Sequence, residues 1–202
     1  MPSLVLRILY ASAVLVSSIR YLPASASLSE NMISGALTPD YGSVSIDGND
    51  LTRLPEYKRA VHIGRVFQDP MAGTAPTMTI EENLAIAYSR NAKRGLRIGV
   101  DKKRREFFKT SLEKLHLNLE NRLSAKVGLL SGGERQALSL LMATFTNPSI
   151  LLLDEHTAAL DPSRAELITK LTKELVEESQ LTTLMVTHNM QQALDLGNRL
   201  IM

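Results

Sequence analysis

No cysteine occurs in the 202 residues, which removes disulfides, thiolate metal sites and cysteine nucleophiles together and suits a reducing compartment. Tryptophan is absent as well, and aromatics make up 4%, which argues against aromatic-rich binding modules. No apolar run reaches the roughly 18 residues of a membrane span, although the N-terminus comes nearest. Charge of one sign is scarce: the net value is +2, too small to point to nucleic acid by itself. Residues 1–29 contain no Asp, Glu or Gly. What is present is a globular composition, 44% hydrophobic and 22% charged, enough for a real core in one domain or a little more.

From Met32 onward the chain alternates strand and helix patterns. Turn signals cluster at Thr38–Gly42 and at Asp47-Gly48-Asn49-Asp50, with a short strand, Ser43–Ile46, between them. Val61–Phe67 reads as a strand that runs into a loop at Gln68-Asp69-Pro70. Thr79 with Glu82 predicts a capping box and a helix start. A second helix is expected from about Asp101 to Leu117, with Phe108, Leu112 and Leu115 on its apolar face. A third follows Gly133 and stops before Pro148. Ile150–Leu153 is solidly apolar, the mark of a strand buried on both faces of a parallel sheet. Asp161-Pro162 opens a helix whose inner side carries Ile168, Leu171 and Leu175. Leu184–Val186, a short helix to Gly197 and a strand from Arg199 complete a parallel α/β order, and the chain reads as cut short on that strand.

Two segments carry chemistry. Asp154-Glu155 follows the buried strand directly, at the sheet end where α/β folds bind ligands. The first carboxylate can hold Mg²⁺ through water and the second can orient a water for attack on phosphate, or the pair simply caps a strand end. In Leu130-Ser131-Gly132-Gly133-Glu134-Arg135-Gln136, Ser131 and Glu134 fit a capping box. The two glycines expose backbone N–H groups at a helix start, which makes an anion site.

Residues 130–136 resemble the signature motif of the ATP-binding-cassette (ABC) ATPases. Ile150–Asp161, ILLLDEHTAALD, is similar to their Walker B strand and D-loop, with His156 where most members carry Pro. Gln68 in VFQDP resembles the Q-loop glutamine, and His188 after TTLMVT resembles the switch histidine. Asp40–Gly48 is similar to the segment after the family's first helix. The resemblance implies a P-loop NTPase-like, three-layer α/β core with a parallel sheet, a helical signature subdomain at about residues 81–143, and a family domain spanning 32–202. It implies ATP and Mg²⁺ as cofactors. Asp154 and Gln68 would serve Mg²⁺, Glu155 would polarise the attacking water, and His188 would hold the γ-phosphate. Gln68 would also couple to a membrane partner. Ser131, Gly132, Gly133 and Gln136 would meet ATP held by a second subunit, with Asp161 at that head-to-tail interface. The partners implied are a transmembrane permease and a second ATP-binding subunit, at the cytoplasmic face of the cell membrane.

The family's G-x-x-x-x-G-K-[ST] loop is missing. Counting back from Ile33–Leu37, it should fall at Arg20–Ser27, which read RYLPASAS. Ser25 stands where the last glycine belongs and Ala26 where the lysine belongs; Ser27 alone is of an acceptable type. Without glycines the backbone cannot wrap a phosphate, and Pro23 removes an N–H. Tyr10 or Tyr21 is offered as the adenine-stacking aromatic. Residues 1–31 stand apart as a non-family segment with three readings: a signal peptide, a transit peptide, or an N-terminus replaced through a frameshift, wrong start or assembly error. The basic stretch of Lys93, Arg94, Arg97 and Lys102–Arg105 lacks the interleaved aromatics of a nucleic-acid surface, so no nucleic acid is expected. The function expected is an ATP-binding subunit of an ABC transporter with doubtful hydrolysis at its own site. The alternatives are a degenerate subunit that lends only its signature motif, and a non-transport soluble ABC protein.

Overall fold

The computed structural model describes residues 5–9, 26–90, 99–197 and 199–201. The chain divides into two compact units, one of residues 1–65, 147–155 and 176–202, the other of residues 66–146 and 156–175.

The first unit is built on a five-stranded sheet. Its strands are β1 (Val5–Leu9), β4 (Ile63–Val66), β5 (Ile150–Asp154), β6 (Thr182–Thr187) and β7 (Arg199–Ile201), in the order β4-β5-β6-β1-β7. β5 and β6 pair in parallel, Leu152 opposite Leu184, as their unbroken apolar runs require. Their inward residues join Ile46, Leu51 and Ile63 in one core, against which Ile33 and Leu54 pack. One strand departs from the expected parallel sheet. β1 is antiparallel to both neighbours, with Val5 opposite Thr187 on β6 and Leu6 opposite Ile201 on β7. Residues 5–9, within the segment read from the sequence as non-family, therefore supply a strand between β6 and β7.

A two-stranded hairpin, β2 (Ser45–Ile46) and β3 (Asn49–Asp50), is joined by Asp47 and Gly48 at φ 52° and 76°. Two successive positive φ values make the mirror-image turn that matches strand twist, and Asp-Gly is a preferred pair for it. Helix α1 (Ala26–Ser34) ends at Gly35, whose φ of 91° closes the helix in the left-handed region. The short helix α2 (Glu56–Arg59) carries Arg59, 1% exposed, back under that end. Its guanidinium donates to the carbonyls of Met32 (2.6 Å), Ile33 (2.9 Å), Thr52 (2.9 Å) and Leu54 (2.8 Å). Helix α7 (Met190–Leu196) links β6 to β7.

The second unit is helical. α3 (Ile80–Tyr88) begins at Thr79, where the capping box with Glu82 is complete. α4 (Lys102–Glu113) starts at Asp101, which accepts from the Arg104 amide, and buries Phe108 and Leu112 fully. α5 (Gly132–Thr144) buries nearly every side chain from Gln136 onward. Tyr88, Phe107, Phe108 and Phe145 meet with ring centroids 5.3–6.3 Å apart and seal the junction of these helices. α6 (Pro162–Ser179) begins in this unit and turns Ile168 and Leu171 inward, as its spacing predicts.

Candidate functional site

Asp154 and Glu155 stand at the carboxyl end of β5. Glu155 continues the pairing, its N–H donating to Val186 O at 2.9 Å, while its φ of 43° swings the side chain out of the sheet. A left-handed non-glycine residue at a strand end costs on the order of 1 kcal/mol and marks a position held by its surroundings. Its Oε1 lies 2.6 Å from His188 Nε2, on the turn that follows β6. Asn189 fixes that turn by capping α7, and Thr187 Oγ1 accepts from the Asn189 amide. Asp154 faces Arg65 at 3.9 Å, and Arg65 also donates to Asn31 Oδ1 at 3.0 Å, joining β4 to α1. The expected catalytic pair Glu155–His188 is thus assembled in the first unit. Gln68, exposed, belongs to the second.

Beside these carboxylates lies a residue that sequence reasoning passed over. Glu30, on α1, is 0% exposed, and among the described residues neither carboxyl oxygen has a hydrogen-bond partner. Burial pushes its pKa up to about 8, Asp154 and Glu155 push the same way, and Arg65 opposes them. A buried carboxyl next to Asp154 is poorly suited to a site that must receive the anionic phosphates of ATP. No glycine precedes Gly35 and no lysine precedes Lys58 to offset it. Of the segment expected to be the P-loop, Ala26 and Ser27 form the first turn of α1, and residues 20–25 lie outside the described residues, as do Tyr10 and Tyr21. The described residues beside Asp154 do not fit the phosphates of ATP. Among the described residues, no group of three or more His, Asp or Glu side chains is placed to hold a metal ion.

The signature segment is intact. Ser131 caps α5 and its backbone N–H donates to Glu134 Oε2 at 2.7 Å, completing the capping box. Arg122 Nη1 meets the other oxygen, Glu134 Oε1, at 2.6 Å. Burial works against the ionised Glu134, yet the bonds from Ser131 and Arg122 hold its pKa below the usual range. A Cβ on Gly133 would come within 3.2 Å of Arg164 Cδ, so the backbone there lies against a basic side chain with no room to spare. Asp161 caps α6, accepting from Ser163 Oγ at 2.7 Å and the Arg164 amide at 3.2 Å; those bonds lower its pKa. Gln136 is the exception. Expected at the nucleotide, it is fully buried and donates to Phe67 O at 3.2 Å, so it serves as a strut beneath the helix start.

His156 is buried at 2% exposure, and burial lowers its pKa from 6.5 to about 4. Thr172 Oγ1 donates its one proton to Ile168 O at 2.7 Å, so His156 Nε2, 3.1 Å away, must be the donor to it. This assigns the Nε2–H tautomer. A depressed pKa means that the unfolded chain binds the proton more readily. Stability is intact above about pH 6.5 and falls by about 3 kcal/mol as the pH drops through 4. His156→Gln keeps a donor and cannot titrate. Urea unfolding across pH 4–7 should show a flatter acid limb for the variant; parallel limbs would refute the assignment.

A five-stranded sheet with an Asp-Glu pair at the end of β5, a histidine on the turn after β6 and a helical unit whose helix α5 opens on LSGG define an ABC-type nucleotide-binding domain. The ABC transporter family model matches residues 27–158, and the chain belongs to that family. It is 46% identical over 176 residues to the tyrosine transport ATP-binding protein of Clostridioides difficile (strain R20291), covering 85% of this chain and 68% of that protein. It is 39% identical over 155 residues to the phosphate import ATP-binding protein PstB of Tropheryma whipplei (strain Twist), covering 75% of this chain and 57% of that one. A solved ATP-binding cassette in a dimeric, post-hydrolysis state bound to ADP and Pi superposes with a TM-score of 0.67 at 32% identity, covering 83% of this chain and 71% of that one. ABC ATP-binding domains bind ATP, generally with Mg²⁺; such subunits work with transmembrane permeases and dimerise. Among the described residues, no helix is long and apolar enough to cross a membrane.

Proposed function

We propose that this chain is an ABC transporter ATP-binding subunit whose working contribution is its signature half-site. It would lie on the inner face of the membrane against a permease, paired with a cassette that has a complete phosphate loop. The observation that carries this reading is the contrast within one chain. Ser131, Gly132 and Gly133 sit at a fully capped helix start, whereas Glu30 and the glycine-free segment before it spoil the chain's own phosphate position. ATP held by the partner would present its phosphates to the Ser131 hydroxyl and the two glycine amides, with Asp161 at the same interface. Glu155 and His188 keep a hydrolytic geometry with no nucleotide of their own to act on. The 46% identity to the tyrosine transport protein favours an amino acid as the solute.

The test has two arms. The isolated chain should show no micromolar ATP affinity by calorimetry with Mg²⁺. Mixed with an intact partner cassette, it should raise ATPase above the partner alone, and Ser131→Glu should return the rate to that baseline by setting a carboxylate against phosphate. Tight ATP binding by the isolated chain, or a mixture no faster than the partner, refutes the reading.

A further inference from the structure

Arg135 follows the capping-box glutamate on α5, and its guanidinium spans the turn that leads into Ser131. Nε reaches Val127 O at 3.3 Å, and Nη2 reaches Gly128 O at 3.3 Å and Leu130 O at 2.8 Å. Nη1 lies 2.8 Å from Met71 Sδ, three residues beyond Gln68. The same turn is strapped from its other side, where Val127 N–H donates to Met78 O at 3.0 Å and Gly128 N–H to Pro76 O at 2.9 Å. The next residue on α5, Gln136, holds Phe67 O, on the residue before Gln68. Two consecutive helix residues therefore gather the signature turn and both sides of Gln68. The guanidinium's separate nitrogens reach carbonyls spread along the turn, whereas the three donors of a lysine ammonium radiate from one atom and cannot span them.

We propose that Arg135 is a positioning residue for the signature half-site. It sets the turn Val127–Leu130 so that the Ser131 hydroxyl and the amides of Gly132 and Gly133 face the partner's nucleotide, and it ties that turn to the loop after Gln68. The proposal rests on the half-site reading above. The test compares Arg135→Lys and Arg135→Ala with the parent by two readouts. In the chain alone, amide hydrogen exchange over residues 127–134 should quicken about tenfold in both variants, the loss of bonds to a charged group, while residues 138–144 stay unchanged. In the mixture with an intact cassette, the KM for ATP should rise about tenfold with little change in kcat, and lysine should not rescue it. Parent-like exchange in the lysine variant overturns the proposal. So does an unchanged KM in both variants when the parent mixture is active. A parent mixture no faster than the partner alone sinks the half-site reading instead, and the proposal's functional half with it.

Discussion

Glu30→Gln stabilises the chain by roughly 4 kcal/mol at pH 8 and by almost nothing at pH 4. The carboxyl is 0% exposed, without hydrogen-bond partners among the described residues, and its pKa is pushed up to about 8 by burial first and by Asp154 next. Below about pH 4.5 the group is neutral in both the folded and the unfolded chain and costs nothing extra. Between 4.5 and 8 the unfolded chain releases its proton and the folded chain keeps it, so stability falls with rising pH by about 1.4 kcal/mol per pH unit. A glutamine has the same shape and no proton to lose. Urea midpoints measured from pH 4 to pH 9 should diverge steadily between the two chains. Curves that run parallel would show that Glu30 is hydrated and ionised like any surface acid. This slope is opposite in sign to that of His156, so the parent chain should be most stable in mildly acidic buffer.

Arg59→Met should strip away roughly 4 kcal/mol of stability. The guanidinium is 1% exposed and satisfies four carbonyls, two of them from the last turn of α1 and two from residues 52 and 54. Methionine fills a similar volume and leaves those acceptors unpaired. At about 1 kcal/mol or more for each stranded group the loss is roughly 4 kcal/mol, a large part of an ordinary domain's margin. Arg59→Lys should recover only part of it, because one ammonium cannot fan out to four acceptors. Gly35 supports the same arrangement: a Cβ there would lie 2.8 Å from Arg59 Nε, so Gly35→Ala should weaken the same corner. A thermal melt of Arg59→Met within about 2 °C of the parent would remove the claim, since such a loss should shift the midpoint far more.

Elements written in short sequence windows were legible in advance. The apolar runs of β5 and β6 and the capping boxes at Thr79 and Ser131 stand where the pattern placed them. So does the inner face of Phe108, Leu112 and Leu115. Each is decided by neighbours within a turn or two of the same chain. Arg59, Arg122 and Arg135 were not legible as anchors, because their partners lie elsewhere and a lone basic residue reads as a solvated one. Gln136 was drawn to the nucleotide by its place in the motif, and only the position of Phe67 shows that it points inward. Glu30 gave no warning, since its burial depends on what α1 packs against. The direction of β1 was beyond reach for the same reason: five apolar-leaning residues fit a central strand equally well either way round.

β1 also sets the order in which the sheet can be completed. Val5 pairs with Thr187 and Leu6 with Ile201, partners about 180 to 195 positions apart. Contacts of that separation close very large loops and form late. During synthesis β1 emerges well before β6 and β7 and waits for them before it can zip into the sheet. Until then β6 presents an apolar edge with open backbone donors and acceptors, a template for strands of other chains. The interval before β1 closes on β6 is therefore when this protein is most exposed to aggregation, and its yield in cells should track chaperone supply more closely than its equilibrium stability.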